Sequence, residues 1–148
     1  MTIRKSIRIE RPPQAVFHAF CNEIGRWWPI RQGFAFNGQR TTNVAFEDRV
    51  GGRFYEQLND GSEFEVGRVT AWEPPKRVAF TWRAPAWEAA TQVDVRFIAE
   101  GGGTRVELEH SGWEQGPTIS KEAKGYSEGW DFILGQFESH TGAAEVVR

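Results

Sequence analysis

Between Thr41 and His110 apolar residues recur mostly at every second position, and beyond Ile119 they recur every 3.6. That change of period constrains the fold more than any other feature of the chain. Period two over short segments marks strands with one dry face. Val44 and Phe46 share a face, as do Val78, Phe80 and Trp82, then Val93, Val95 and Phe97, then Val106, Leu108 and His110. Arg53 to Leu58 and Phe64 to Trp72 read as two more strands. In the first of these, Arg53 and Tyr55 alternate with Phe54, and the inward face stays open. Asp48 to Gly52, Asn59-Asp60-Gly61, Pro74-Pro75 and Gly101 to Gly103 supply the turns between strands. Gly67, inside a strand, predicts a bend or bulge.

The later segment places Tyr126, Trp130, Ile133, Leu134 and Phe137 along one helical stripe, with Lys121, Glu122, Lys124, Glu128, Asp131 and Glu138 elsewhere. Thr118 or Ser120 is the expected cap, Gly142 the expected end, and Ala143 to Arg148 a fraying tail. Gly125, Gly129 and Gly135 each weaken such a helix by about 1 kcal/mol relative to Ala, which points to close packing or a kink. At the other end of the chain, Ile3, Lys5, Ile7 and Ile9 alternate with Arg4, Ser6 and Arg8 as a strand. A helix from Pro13 to Phe20 carries Val16, Phe17 and Phe20 on one face. A second short helix, capped by Asn22, runs from Glu23 to Trp27 and stops at Pro29. The order is strand, two short helices, six strands, long helix. A sheet with one dry face needs a cover, and the long helix is the only large apolar stripe left to supply it. The expected class is α+β, a helix-grip fold with a curved antiparallel sheet over a long C-terminal helix.

The 148 residues fit one domain, 1–148. A chain of this length buries roughly 70% of its unfolded surface, so a core needs no metal or disulfide. Seven Trp and eleven Phe concentrate that burial in rings, an interior that either leaves room for a guest molecule or is simply a core made of rings. The net charge is −2 with both signs interspersed, so no basic stripe for nucleic acid is present. No run of 18 apolar residues spans a membrane, and the opening MTIRKSIRIERPP is not a secretory signal. With Cys21 as the single cysteine no internal disulfide forms, and a cytoplasmic protein is expected.

Motifs along most of the chain resemble one family. GGRFYEQLNDGSEFEVGRVTAWEPPKRVAFTW, Gly51 to Trp82, is similar to the signature of activator of heat-shock-protein ATPase-like proteins. RIERPPQAVFHAF resembles their first strand and helix, and RWWP, Arg26 to Pro29, their second helix. VELEHSGW, Val106 to Trp113, resembles the last strand, and GWDFILGQFESH, Gly129 to His140, the closing helix. The resemblance implies the START-like superfamily, also called SRPBCC, with the birch-pollen-allergen fold. That fold hosts lipid transfer, hormone sensing, polyketide cyclisation, cargo binding and co-chaperone roles. The co-chaperones that named the family carry a further N-terminal domain, whereas this chain begins at the first strand. A chaperone partner is therefore the weaker expectation.

The candidate ligand-binding residues are Trp27, Trp28, Phe36, Trp82, Phe97, His110, Tyr126, Trp130 and Phe137. Trp27, Trp28, Phe34 and Phe36 either gate a cavity or pack the open end of the sheet. Within that pair of Trp, one is expected to face the core and the other solvent or ligand. Trp82, Phe97, Trp130 and Phe137 are core or pocket wall, with core the safer reading. His110 points inward by parity. It either meets a ligand as an acid, base or hydrogen-bonding group, or ties the strand to its surroundings. The second is favoured because buried polar groups are usually satisfied by structural bonds. Arg53, Arg68 and Arg83 would suit a ligand carboxylate but read first as solvated strand residues, and Arg96 faces outward. Glu63 and Glu65 face outward as well. His18, His110 and His140 are too far apart for a metal site, and His18 with Cys21 reads as a buried thiol beside a helix rather than a nucleophile pair. No metal or cofactor is implied.

Three functions compete. The first is binding or sensing of a small apolar or aromatic molecule in a cavity between sheet and helix, with His110, Tyr126 or an Arg setting orientation. The second is a cofactor-free cyclase or hydratase, which needs two titratable groups converging inside where only one is visible. The third is a chaperone-associated interaction protein, for which Trp87 in the Pro85-Ala86-Trp87 hairpin is the best exposed aromatic. A homodimer is compatible with all three.

Overall fold

The computed structural model describes residues 1–146. Seven strands and three α-helices follow the chain: β1 (Ile3–Ile9), α1 (Pro13–Cys21), α2 (Ile24–Trp27), β2 (Thr41–Phe46), β3 (Arg53–Leu58), β4 (Glu63–Glu73), β5 (Arg77–Trp82), β6 (Thr91–Glu100), β7 (Gly103–Ser111) and α3 (Pro117–Val146). The strands form one antiparallel sheet in the order β1-β7-β6-β5-β4-β3-β2. β2 to β7 make a meander, and β1 closes against the far side of β7, with Ile3 opposite His110 and Ile9 opposite Thr104. That long-range pairing leaves no local signal in the sequence.

Three irregularities curl the sheet, since an extra residue on one strand bends it and increases its twist. Thr42 is extra between β2 and β3, Val66 between β3 and β4, and Thr70 between β4 and β5. Gly67 sits at the second of these. A Cβ there would lie 1.7 Å from the Thr81 carbonyl oxygen, so only glycine admits the approach. The inward residues of the sheet, the apolar face of α1 and the stripe of α3 meet in one core. Phe97 lies edge-on to Phe17 at 5.2 Å and to Phe20 at 5.7 Å. Phe137 reaches the same cluster, 5.2 Å from Phe20 and 4.8 Å from Trp27. Lys5 is on the inward side of β1, and its ammonium spans to Asp131 of α3 at 3.0 Å.

Several expectations change. Asn22 does not cap α2: it ends α1, its N–H donating to the His18 carbonyl at 2.8 Å. α3 starts at Pro117, earlier than Thr118 or Ser120 would cap it. Ser120 instead donates to the Trp113 carbonyl, and the Thr118 N–H is taken by Glu88 of the β5–β6 hairpin. A carboxylate there satisfies a free helix N–H and complements the helix dipole. α3 continues past Gly142 to Val146, and the expected fraying of the tail falls partly outside the described residues. Trp87 is 2% exposed. Its hairpin folds inward, so that its ring packs on Trp113 at 5.6 Å and Tyr126 at 5.3 Å.

Candidate functional site: an apolar cavity

A cavity of about 370 Å³ lies between the sheet and the first half of α3. Val44, Phe54 and Val66 form its floor on β2 to β4, with Trp82 at the end of β5. Trp28, Phe34, Ala35 and Phe36 close one side, and Tyr126, Trp130 and Ile133 of α3 the other. Its size and lining fall in the range of small-molecule sites.

Two glycines border the space on its helical side. Gly125 and Gly129 are on the α3 wall, and a Cβ on Gly125 would touch nothing within 4 Å. Close packing, expected of helical glycines, is therefore absent at Gly125, which is exposed where it borders the cavity. At Gly129 a Cβ would come 3.3 Å from the Phe34 ring, which reaches over the mouth. Phe34 also stacks on Phe132 of α3 at 5.3 Å with the planes 9° apart.

The segment carrying Phe34 and Phe36 is flanked by Gly33 and Gly38, with φ of 96° and 57°. It is held from below by Glu56, which is 2% exposed. One carboxylate oxygen accepts the Phe36 N–H at 2.7 Å. The other accepts the Asn37 N–H at 3.1 Å, the Asn37 side-chain amide at 2.7 Å and the Thr41 hydroxyl at 2.9 Å. Four donors on one buried carboxylate offset its desolvation and tie the loop to β3. Trp28 adds a tether, its indole N–H donating to the Phe34 carbonyl at 2.7 Å. Glu56 escaped the sequence reading. Its signal was strand parity with Phe54 and Leu58, hidden by the undecided face of β3.

Tyr126 lies across the cavity on α3. Its hydroxyl oxygen accepts the Trp82 indole N–H at 2.9 Å. Burial pushes its pKa up to about 12, so it is a neutral phenol at physiological pH.

His110 does not reach the cavity wall. The Trp130 indole N–H donates to its Nδ1 at 3.0 Å, and its Nε2 lies 2.7 Å from the Thr91 hydroxyl. Thr91 gives its own proton to the Trp82 carbonyl at 2.7 Å, so Nε2 carries the imidazole proton and Thr91 accepts it. Burial pushes the His110 pKa down to about 3, in agreement with this neutral tautomer. The imidazole thus ties β5, β6, β7 and α3 together.

Of the nine candidates, the structure brings Trp28, Phe36, Trp82, Tyr126 and Trp130 together on the cavity wall. It places Trp27, Phe97 and Phe137 in the core, with His110 fully buried off the cavity wall. Trp27 and Trp28 are both buried; the Trp27 indole N–H donates to the Ala19 carbonyl, and Trp28 borders the cavity. The arginines stay at the surface. Arg53 pairs with Glu47 and Glu63, Arg68 with Glu65, and Arg83 with the Trp87 carbonyl. Cys21 is buried, with its thiol pKa raised by that burial.

Comparison with known proteins follows the same lines. A family model described as Activator of Hsp90 ATPase homolog 1-like protein matches residues 10–142. The solution structure of the AHSA1-like protein from Aeromonas hydrophila is 29% identical, with a TM-score of 0.65 over 98% of this chain and 94% of that one. The Aha1 dimer from Colwellia psychrerythraea has the same fold, at 18% identity and a TM-score of 0.69 over 96% of each chain. An anthrahydroquino-γ-pyrone synthase, Txn09, is 36% identical over 74% of this chain and 75% of its own, with a TM-score of 0.52. No curated protein sequence matches the chain significantly.

Proposed function

Because the chain belongs to the Activator of Hsp90 ATPase homolog 1-like family, within the START-like superfamily, we propose that it binds a small apolar or aromatic molecule between its sheet and α3. The observation that carries this reading is the cavity of about 370 Å³ walled by Trp28, Phe34, Phe36, Phe54, Trp82 and Trp130. Affinity comes from apolar area removed from water, at roughly 25 cal/mol per Å² before the costs of association. Trp28 and Glu56 hold the Phe34–Phe36 loop in place as the cover.

Thermal unfolding against a panel of fatty acids, flavonoids, aromatic acids and small aromatic ketones tests the reading. A ligand at 100 times its Kd adds about 2.7 kcal/mol, or about 5–11 °C in Tm for a domain of this size. The shift should vanish in a Gly125→Leu variant, whose new side chain fills the open space. Flat curves across the panel would refute cavity binding.

The cyclase-like reading is second, and the 36% identity to a pyrone synthase favours it. Glu56 and Tyr126 also supply two titratable groups on one cavity. Turnover of a ligand found in the panel, followed by mass spectrometry and absorbance, separates an enzyme from a binder. The chaperone-associated reading loses its main support with Trp87 buried. Among the described residues the exposed large apolar side chains are Met1, Val50 and Phe132, on three separate segments.

A further inference from the structure

The cavity's polar atoms can be followed one by one. The Trp28 indole N–H is engaged by the Phe34 carbonyl, that of Trp82 by Tyr126, and that of Trp130 by His110. The Glu56 carboxylate holds three donors from the covering loop and the Thr41 hydroxyl of β2. Lys121 and Glu122 stand at the outer end of α3, toward the mouth. Tyr126 differs from Glu56 and from the three indoles. Its oxygen accepts from Trp82, but no hydrogen bond takes its own proton among the described residues. Glu122, one helical turn earlier, is near enough to oppose ionisation of the phenol yet makes no hydrogen bond to it.

A phenol whose oxygen is held by an indole, on the wall of a cavity lined mainly by aromatic and aliphatic side chains, keeps its proton for a ligand acceptor. Resting on the cavity reading above, we propose that the Tyr126 hydroxyl donates a hydrogen bond to a carbonyl oxygen of the bound molecule. The cavity then recognises an aromatic ketone or similar planar carbonyl compound, and Tyr126 is its specificity-determining residue. The Trp82 N–H bond strengthens this choice, because it occupies the phenol oxygen and orients the O–H away from the indole. A bond that accepts on the oxygen also polarises the O–H for donation.

The test uses two aromatic probes of nearly the same shape, 2-acetylnaphthalene and 2-isopropylnaphthalene, with the full chain and its Tyr126→Phe variant. Equilibrium dialysis gives all four Kd values. A net hydrogen bond of typical strength corresponds to about a five- to tenfold change in affinity. Tyr126→Phe should weaken ketone binding by that factor and leave the hydrocarbon within about twofold. Equal changes for both probes, or no change for either, would overturn the assignment while leaving the cavity reading intact. Binding of neither probe to the unaltered chain would overturn both. Should the variant fail to fold, the carbonyl stretch of 2-acetylnaphthalene bound to the unaltered chain decides. It should fall below its frequency in hexane, and an unshifted band would overturn the proposal.

Discussion

Both imidazole nitrogens of His110 and the Thr91 hydroxyl have protein partners, while the buried Trp87 indole N–H nearby has none among the described residues, and Trp113 closes the end with its indole on the His110 carbonyl at 2.8 Å. On the other side of Trp82 the same interior holds about 370 Å³ of space and a phenol proton without a partner. The two regions share Trp82, Tyr126 and Trp130, and both are built from aromatic rings on β5 and α3. What separates them is side-chain supply. His110, Trp113 and Trp87 fill the first region, whereas along the second Gly125 carries no side chain and Gly129 is approached by Phe34. A fold of this kind keeps a rigid half and an unfilled half side by side, and the rigid half sets the walls of the other.

The largest effect should come from breaking the filled half. His110→Ala removes a buried ring and strands the Trp130 N–H, at a cost of about 3–5 kcal/mol in urea unfolding. A loss under about 1 kcal/mol would show that the network is not structural.

Acid should act on the same residue. The folded pKa of His110 is about 3, below its unfolded value of 6.5, so the unfolded chain binds the proton more readily between those values. The stability this group contributes is complete above pH 6.5 and is lost as pH falls toward 3, by about 3 kcal/mol at pH 4. Urea curves at pH 7 and pH 4, compared with those of His110→Ala, isolate this share. The variant should show the smaller fall.

In the open half, Glu56→Ala leaves three donors of the covering loop and the Thr41 hydroxyl without an acceptor and should cost about 2 kcal/mol. Hydrogen exchange should rise at Phe36 and Asn37 while Val106 and Leu108 stay protected. Exchange that rises equally in both places would mean that the regions are not separable.

The smallest effect should have the opposite sign. Gly125→Ala enters open space on a helix and should add about 0.5–1 kcal/mol of stability. A comparable gain at any position beside His110 would blur the contrast between the halves.

The sheet and α3 were legible in the sequence because each buries one face only, so the period of the apolar residues survives intact. His110 followed from Val106 and Leu108 by parity alone. Glu56 did not, since Tyr55 and Arg53, stacked at 4.2 Å on the outer face, made either side of β3 look plausible. Trp87 at a hairpin tip looks exposed until Trp113 and Tyr126, distant in sequence, cover it. Gly125 and Gly129 were visible as weak points of a helix, but a missing side chain says nothing about what faces it.

The most direct test of the central claim is a ¹H–¹⁵N spectrum of the seven Trp indoles, recorded while 2-acetylnaphthalene is added. The indoles of Trp28 and Trp82 line the cavity, and that of Trp113 is sealed beside His110. Shifts at Trp28 and Trp82 with Trp113 unmoved, all abolished in Gly125→Leu, are the result expected of an open half that takes a guest. A response centred on Trp113, or shifts that persist in Gly125→Leu, would contradict it.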